Sequence, residues 1–338
     1  MLKKYLFGLA AVLFLLAASA NVIDAQNPAY RISAPYTYKN LTIFLLHGKD
    51  ETKKSNILTL QEAMERGVFR VYETSDVNQL EVENISKEFD VFIQSGDIVK
   101  GGKQDRVLGV SIIIPARSGR VVIDAFCVES GRWTKRGRED AGQFNSSNDR
   151  IVSKELKLAA NAARSQREVW NQVSEAQKKL SKSVGGSVAA ADSSSSLQLS
   201  LENSRVAASA DEYVKRLIRM ADGQSDIIGF AFAVNGEINS ADVYASNTLF
   251  KKLWPKMLKA AAVEALAGRD ARNLNSPAPP KPEAVSGFLV DAAKGKAEER
   301  KAAGTGRIMT RDKKDSAMFE AVDEKSKTVV HRSYVKKQ

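Results

Sequence analysis

Between Tyr36 and Trp133 the chain is written in short apolar runs, many alternating with polar positions and separated by turn residues. That is the period of β-strands. Leu41–Leu46 predicts a buried strand ending at His47-Gly48, and Ile57–Leu60 leads into a helical turn, Gln61–Arg66, stopped by Gly67. Thr59 and Glu62 stand at capping-box spacing. Val68–Glu73 and Leu80–Glu83 alternate as half-buried strands, and Asp90–Gln94 predicts another. Two long β-branched strands follow, Arg106–Pro115 and Arg120–Glu129, joined by a turn at Pro115–Gly119. Strands so close together leave no room for helical crossovers, which predicts antiparallel pairing.

After Trp133 the period lengthens. Thr134–Arg150 reads as a polar loop, and Val152–Lys182 as one helix with apolar residues at helical spacing. Ser183–Ser204, rich in Ser, Ala and Gly, reads as a flexible connection. Ala210–Ala221 predicts a second helix. Ile227–Val234 and Glu237–Tyr244, joined by Asn235-Gly236, predict a tight type I′ hairpin. Asn247 is placed to cap a helix over Thr248–Leu266, whose stripe is Leu249, Phe250, Leu253, Trp254, Met257, Leu258, Ala261 and Leu266. Pro255 predicts a kink in its first turns. Lys251, Lys252, Lys256 and Lys259 form the opposite face, with two readings: lysines in solvent, or a basic helix on an anionic membrane. Asn273–Pro282 reads as a linker, Ala284–Ala293 as a short helix, and Gly306–Thr310, Ala317–Val322 and Thr328–Val335 as strands.

The fold class expected is α+β: a mainly antiparallel sheet, sandwich- or barrel-like in its N-terminal part, with helices on one side. One domain covers 36–300. It comprises a β-rich part at 36–133, a helix at 150–182, a connector at 183–208 and a helix–hairpin–helix part at 209–268. A lead at 21–35 precedes it, and short strands with a basic tail at 301–338 follow.

The first twenty residues differ from the rest. Lys3 and Lys4 precede an apolar run, Tyr5–Leu16, and Ala18-Ser19-Ala20 offers a cleavage site, which predicts a signal peptide at 1–20 and export to the periplasm or beyond. The run is short for a membrane span, so none is expected in the mature chain. Cys127 is the one cysteine, which excludes an internal disulfide; its apolar surroundings predict a buried strand position. The formal charge is +11, dispersed along the chain rather than gathered among exposed aromatics. This argues against nucleic acid as a partner. It reads as solubility with a preference for a small anionic ligand or peripheral envelope contact, while Val128–Trp133, a charged pair with an aromatic, suits a sugar-containing ligand or an adenine ring and core anchoring equally.

Gln94–Val107, QSGDIVKGGKQDRV, gathers the most chemistry. Gly96 and Gly101-Gly102-Lys103 approach a phosphate-binding loop, but Gly102 stands where the lysine belongs, Gln104 where Ser or Thr belongs, and a strand follows. A nucleotide-triphosphatase is excluded. Two readings stand: an anion nest served by Lys100, Lys103 and Arg106, or a long glycine-bearing hairpin turn. The candidate ligand-binding residues are Lys100, Gly101, Gly102, Lys103, Gln104, Arg106, Arg132 and Trp133. Asp97, Asp105 and Glu129 are the candidate catalytic carboxylates of a metal-independent hydrolase, and the same groups would serve equally as cross-strand ion pairs. Glu81, Glu83 and Asp124 extend that acidic set. Only His47 and His331 are present, so a metal site is not expected, nor a cofactor. His47 reads as a surface turn residue, and a Ser-His-Asp triad would have to recruit one of the two.

Gln61–Met64, Val82–Asn84, Ile93–Arg106, Phe126–Trp133, Ala241–Tyr244 and Leu249–Trp254 together resemble a bacterial family, the ARG and rhodanese-phosphatase-superfamily-associated protein domain. The resemblance spans about residues 30–300. It implies a link to ADP-ribose or related nucleotide metabolism, through the ADP-ribosylglycohydrolases with which such domains are associated, and it implies no catalytic residue. The function expected is therefore an exported ligand-binding module using Gly96–Arg106. The alternatives are a hydrolase of phosphoryl- or ADP-ribose-like compounds and an envelope-associated interaction protein.

Overall fold

The computed structural model describes residues 30–150, 153–269, 278–302 and 306–337. The expected signal peptide, residues 21–29 of the expected lead and half of the expected linker, 273–277, lie outside them. The α+β class holds, and the sheets are mostly antiparallel.

The N-terminal part is built from β5 (Phe69–Glu73), β6 (Gln79–Asn84), β8 (Asp97–Gly101), β9 (Arg106–Leu108), β11 (Arg120–Cys127) and β12 (Phe144–Arg150), in the sheet order β12-β8-β9-β11-β6-β5. A bridge between Tyr72 and Gln143, with Glu73 N–H donating to the Gly142 carbonyl, ties the two edges together. The sheet therefore curls into a half-barrel whose two edges meet at this bridge. Beside it lies a three-stranded sheet in which β7 (Asp90–Ile93) is central, parallel to β4 (Ile57–Thr59) and antiparallel to β10 (Ile112–Ile114). The predicted strand Arg106–Pro115 is thus two strands in two sheets. The chain leaves the barrel after Leu108, turns through Gly109–Ser111 and enters the smaller sheet.

A nine-stranded sheet forms the other half, running β1 (Arg31–Ile32), β3 (Leu41–His47), β13 (Ile227–Val234), β14 (Glu237–Tyr244), β18 (Thr328–Lys336), β17 (Ser316–Asp323), β16 (Gly306–Asp312) and β15 (Lys296–Lys301), with β2 (Tyr36–Tyr38) also paired to β3. The Asn-Gly turn is as predicted: Asn235 and Gly236 both have positive φ, 54° and 82°. β3 is buried on both faces. Ile43 and Leu45 join the main core, and Phe44 and Leu46 a second one.

On the first face packs α6 (Asn247–Ala267), whose predicted apolar stripe is wholly buried. On the other lies α7 (Pro282–Ala292), burying Val285, Phe288 and Leu289, so the expected one-sided helix layer gains an opposite member. α1 (Leu60–Glu65) carries the capping box in full. The hydroxyl of Ser246, rather than Asn247, accepts from the Leu249 N–H and caps α6. The helix runs on through Pro255.

Several local expectations give way to tertiary context. β12 forms in the supposed polar loop because its backbone completes the ladder with β8. The single helix Val152–Lys182 is α2 (Lys154–Leu158), a wide turn (Ala159–Ala163) and α3 (Gln166–Ser183), divided at Arg164, whose backbone is left-handed at φ 48°. The supposed flexible connection contains α4 (Leu197–Leu201), with Ser196, Leu197, Gln198, Ser200 and Leu201 all buried. α5 (Ser204–Leu217) begins earlier than predicted. Three of the four lysines on the basic face of α6 are paired within the fold. Lys252 reaches Glu62, Lys256 reaches Asp97 and Lys259 reaches Asp149, leaving Lys251 exposed. No described helix is long and apolar enough to cross a membrane.

Candidate functional site

Gln94–Val107 is a hairpin, with β8 and β9 as its arms and residues 102–105 as its turn. Gly101 and Gly102 both have positive φ, and a Cβ on Gly102 would lie 2.4 Å from the Phe144 ring, so this turn needs glycine. The tip holds a buried lattice of opposite charges. Asp105, fully buried, accepts from Arg136 Nη1 and Nη2 at 2.9 and 3.1 Å, from Ser196 Oγ at 3.0 Å and from Gly101 N–H at 3.0 Å. Glu129 accepts Arg132 Nε and Nη2, both at 2.7 Å, and the Asp105 N–H. Burial alone would raise the Glu129 carboxyl, but the bonds from Arg132, Ser193 and the Asp105 backbone outweigh it and hold it low. Arg106, with no exposed surface, donates to both oxygens of Glu73 and to the carbonyls of Asp76 and Val77. Half-exposed Trp133 covers this end, with Lys103 Nζ and the Arg106 guanidinium 5.2 and 5.7 Å from its ring centre.

Of the predicted residues, then, Asp105, Glu129, Arg106, Arg132, Lys103 and Trp133 do converge. The charges of Asp105, Glu129, Arg106 and Arg132 are spent on one another, on Glu73 and on Arg136, while Lys103 Nζ donates to Ser75 Oγ at 2.8 Å. Lys100 pairs outward with Glu202, and Gln104 is buried with its carbonyl oxygen unpartnered. Asp97 is elsewhere, at the root of the hairpin, 3.1 Å from Lys256. Asp124 is shared by Arg164 and Arg300, Glu81 pairs with Arg120, and Glu83 accepts from the Tyr72 hydroxyl.

The root differs in character. Ser95 before β8 and Gly109–Ser111 after β9 form one wall of a cleft whose other walls are α2, the wide turn, and the face of β15–β18. Into it come Arg150, Lys157, Asn161, Arg300 and His331. Arg150 is 3% exposed, and among the described residues it forms no ion pair. Its Nη2 donates to the Ser95 carbonyl at 2.6 Å, its Nη1 lies against the Met257 sulfur, and its Nε has no partner. Lys157 Nζ is 3.1 Å from Ser240 Oγ and 4.0 Å from Asp242. Arg300 and Arg164 share the one carboxylate of Asp124, and the carboxylate lining the cleft, Glu320, is taken up by Arg332 and Arg311, so the cleft carries excess positive charge. Its free volume is about 20 Å³, room for about one water.

A larger groove, about 400 Å³, lies between α3 and the end of α6, bordered by exposed Lys179 and Lys182. Its one buried charge, Glu264, already accepts from Lys154 N–H and Asn239. Size favours that groove. An unpaired buried cation favours the root of the hairpin, and we weigh the charge more heavily, because burying it uncompensated costs the fold free energy.

A family model, the ARG and Rhodanese-Phosphatase-superfamily-associated Protein domain, matches residues 29–335. The chain belongs to this family. No curated protein and no solved structure matches it. The ARG and Rhodanese-Phosphatase-superfamily-associated Protein domain takes in both halves of the molecule, so the barrel, the nine-stranded sheet and the cleft between them are parts of one family unit. Among the described residues no group of three or more His, Cys, Asp or Glu side chains is placed to hold a metal. Sequence reasoning missed Arg150 and Lys157, which come from segments read as loop and helix, and Arg300, which ends the expected domain in a stretch assigned to no element. Asp97 and Arg150 are register partners on β8 and β12, and the pairing shifts register between Ser146 and Arg150, so no regular alternation in this segment signalled a strand.

Proposed function

We propose that the protein binds a small anionic ligand, phosphate- or carboxylate-bearing, in the cleft at the root of the β8–β9 hairpin. The buried, unpaired guanidinium of Arg150 carries this reading. A cation held so far from water is costly unless a counter-charge meets it, and an anionic ligand supplies one. Ser95, Ser111 and Asn161 line the same space as neutral hydrogen-bonding groups suited to hydroxyls of a ribosyl or other sugar unit. The hairpin named by the sequence remains the organising element, with its root rather than its tip as the contact surface. The family description associates these domains with a phosphatase superfamily, which accords with a phosphate-bearing ligand.

The test is calorimetric titration of the full chain with ADP-ribose, pyrophosphate and inorganic phosphate. Binding by the native protein, lost or weakened at least tenfold in Arg150→Met but kept in Lys103→Met at the tip, is the expected result. Binding that fails in Lys103→Met and persists in Arg150→Met would move the site to the tip.

A further inference from the structure

Ser111, His331 and Asp242 come from three distant segments and meet in line beside the same cleft. His331, on β18, lies across from Tyr244 on β14, so Asp242, two residues earlier, shares its face of the sheet. His331 Nε2 is 3.0 Å from Asp242 Oδ1, and His331 Nδ1 is 3.0 Å from Ser111 Oγ. Burial would raise the Asp242 carboxyl, but Lys157 and the His331 hydrogen bond hold it far below its ordinary value. An ionised carboxylate only accepts, so Nε2 carries the imidazole proton, which leaves the Nδ1 lone pair facing the serine hydroxyl. The Gln94 amide nitrogen, 3.4 Å from Nε2, then faces another donor and bonds the Tyr244 hydroxyl at 3.0 Å instead. Burial lowers the His331 imidazole, which keeps it neutral. The Ser95 N–H donates to Ser111 Oγ at 3.0 Å and fixes the hydroxyl, while the Tyr244 ring stacks on the imidazole with centroids 5.0 Å apart.

We propose that Ser111 is the nucleophile of an ester hydrolysis, with His331 as its general base and Asp242 as the residue that positions the imidazole. The two ring nitrogens exchange the roles they have in serine proteases, which leaves the proton path unchanged. Ser111 Oγ bonds to the carbonyl carbon while its proton passes to His331 Nδ1. The tetrahedral adduct expels the alcohol, which takes that proton as the C–O bond breaks. Water then attacks the acyl group, gives a proton to Nδ1, and the Oγ–C bond breaks as Oγ regains it. The sum is ester plus water to acid plus alcohol.

The substrate class, a carboxylic ester bearing an anionic group, rests on the reading of Arg150 given above. The nucleophile does not. Phosphoryl transfer would need several cations on the three equatorial oxygens; of the three cleft cations Lys157 lies 4.0 Å from Asp242 and Arg300 is paired with Asp124, which leaves Arg150 as the one without an ion pair among the described residues. A core polar network would account for the Asp242–His331 pair, but not for its continuation to a small hydroxyl on the cleft wall. That wall lies in the link between two sheets, where the chain changes direction and Ser111, though buried, lines the cleft.

The experiment exposes the full chain to an alkyl fluorophosphonate and maps the adduct by mass spectrometry. It also compares hydrolysis of 4-nitrophenyl hemisuccinate, 4-nitrophenyl acetate and 4-nitrophenyl phosphate. The expected results are an adduct on Ser111 and faster turnover of the hemisuccinate than of the acetate. Ser111→Ala abolishes both, and Asp242→Asn slows labelling at least tenfold in protein that still melts cooperatively. Absence of the adduct in native, folded wild type overturns the proposal without recourse to any variant. Turnover of the phosphate in place of the esters overturns the substrate class. Arg150→Met that keeps the Ser111 adduct while losing the hemisuccinate preference supports both readings. An adduct on Ser111 with no hemisuccinate preference in wild type supports the nucleophile and removes the anionic-substrate reading.

Discussion

Single residues decide the hairpin tip. Gly102 combines φ of 57°, where a side chain is strained, with a ring carbon of Phe144 2.4 Å from where a Cβ would stand. Gly67 has a similar φ, 68°, and open space. Gly102→Ala is therefore expected to cost about 2–3 kcal/mol, the sum of backbone strain and overpacking, and Gly67→Ala about 1 kcal/mol from strain alone. Urea unfolding of both variants measures the difference, and equal costs would show that the Phe144 contact yields freely. At this scale the sequence was partly legible. Cys127 sits buried on β11 as read, its thiol pushed up to about 11 by burial. His47 does not sit on a surface turn; it ends β3, buried, with Nδ1 2.9 Å from Asp226. The charges around Asp105 were recognised as a cluster from proximity in the chain, but their neutralisation was not. Asp105 is closed off by Arg136 and Ser196, and Arg106 by Glu73, 31, 91 and 33 positions away respectively.

Elements were legible where their pattern is local. The capping box of α1, the Asn-Gly hairpin and the three C-terminal strands each carry their own signal within a few residues, and each formed. β12, with the sequence FNSSNDR, and β15, with KAEERK, have no such signal. Their backbones are strands because a neighbouring ladder offers them hydrogen bonds, which is a property of the neighbour. α6 shows the same limit from another side. Its apolar stripe was read correctly, yet the lysine face gave no hint that the barrel's carboxylates would be packed against it. Asp97 is 3% exposed and relies on Lys256, whose Nζ also donates to the Ser147 carbonyl at 3.0 Å. Lys256→Met should destabilise the fold by about 3 kcal/mol by stranding that carboxylate. Lys251→Met, one turn earlier and exposed, should stay within about 0.5 kcal/mol. Thermal unfolding of the two variants separates an internal basic face from a solvated one; matched losses would contradict the Lys256–Asp97 pairing.

At the scale of the whole molecule, the barrel and the nine-stranded sheet share a polar seam, and its titration should govern how the fold responds to acid. His331 is packed against Ser111 and Gln94 from the N-terminal part, Asp242 and Tyr244 from its own sheet, with Lys157 and Arg150 close by. Burial lowers the imidazole in the folded state. As pH falls below about 6.5, the unfolded chain takes up a proton that the folded chain refuses, so stability present above that value is lost, by up to about 1.4 kcal/mol per pH unit. Asp242 acts in the same direction at lower pH. Its folded carboxyl lies below its ordinary value, so a second loss begins near pH 4, where the unfolded carboxyl protonates first. Urea midpoints measured between pH 8 and pH 4.5 should therefore decline from about pH 6.5 downward in the wild type. In His331→Gln, which keeps a donor toward Asp242 but cannot take up a proton, the starting stability is lower and the decline over this interval disappears. If the slope survives in His331→Gln unchanged, the seam does not set the acid response, and the neutral imidazole facing Ser111 loses its main physical support.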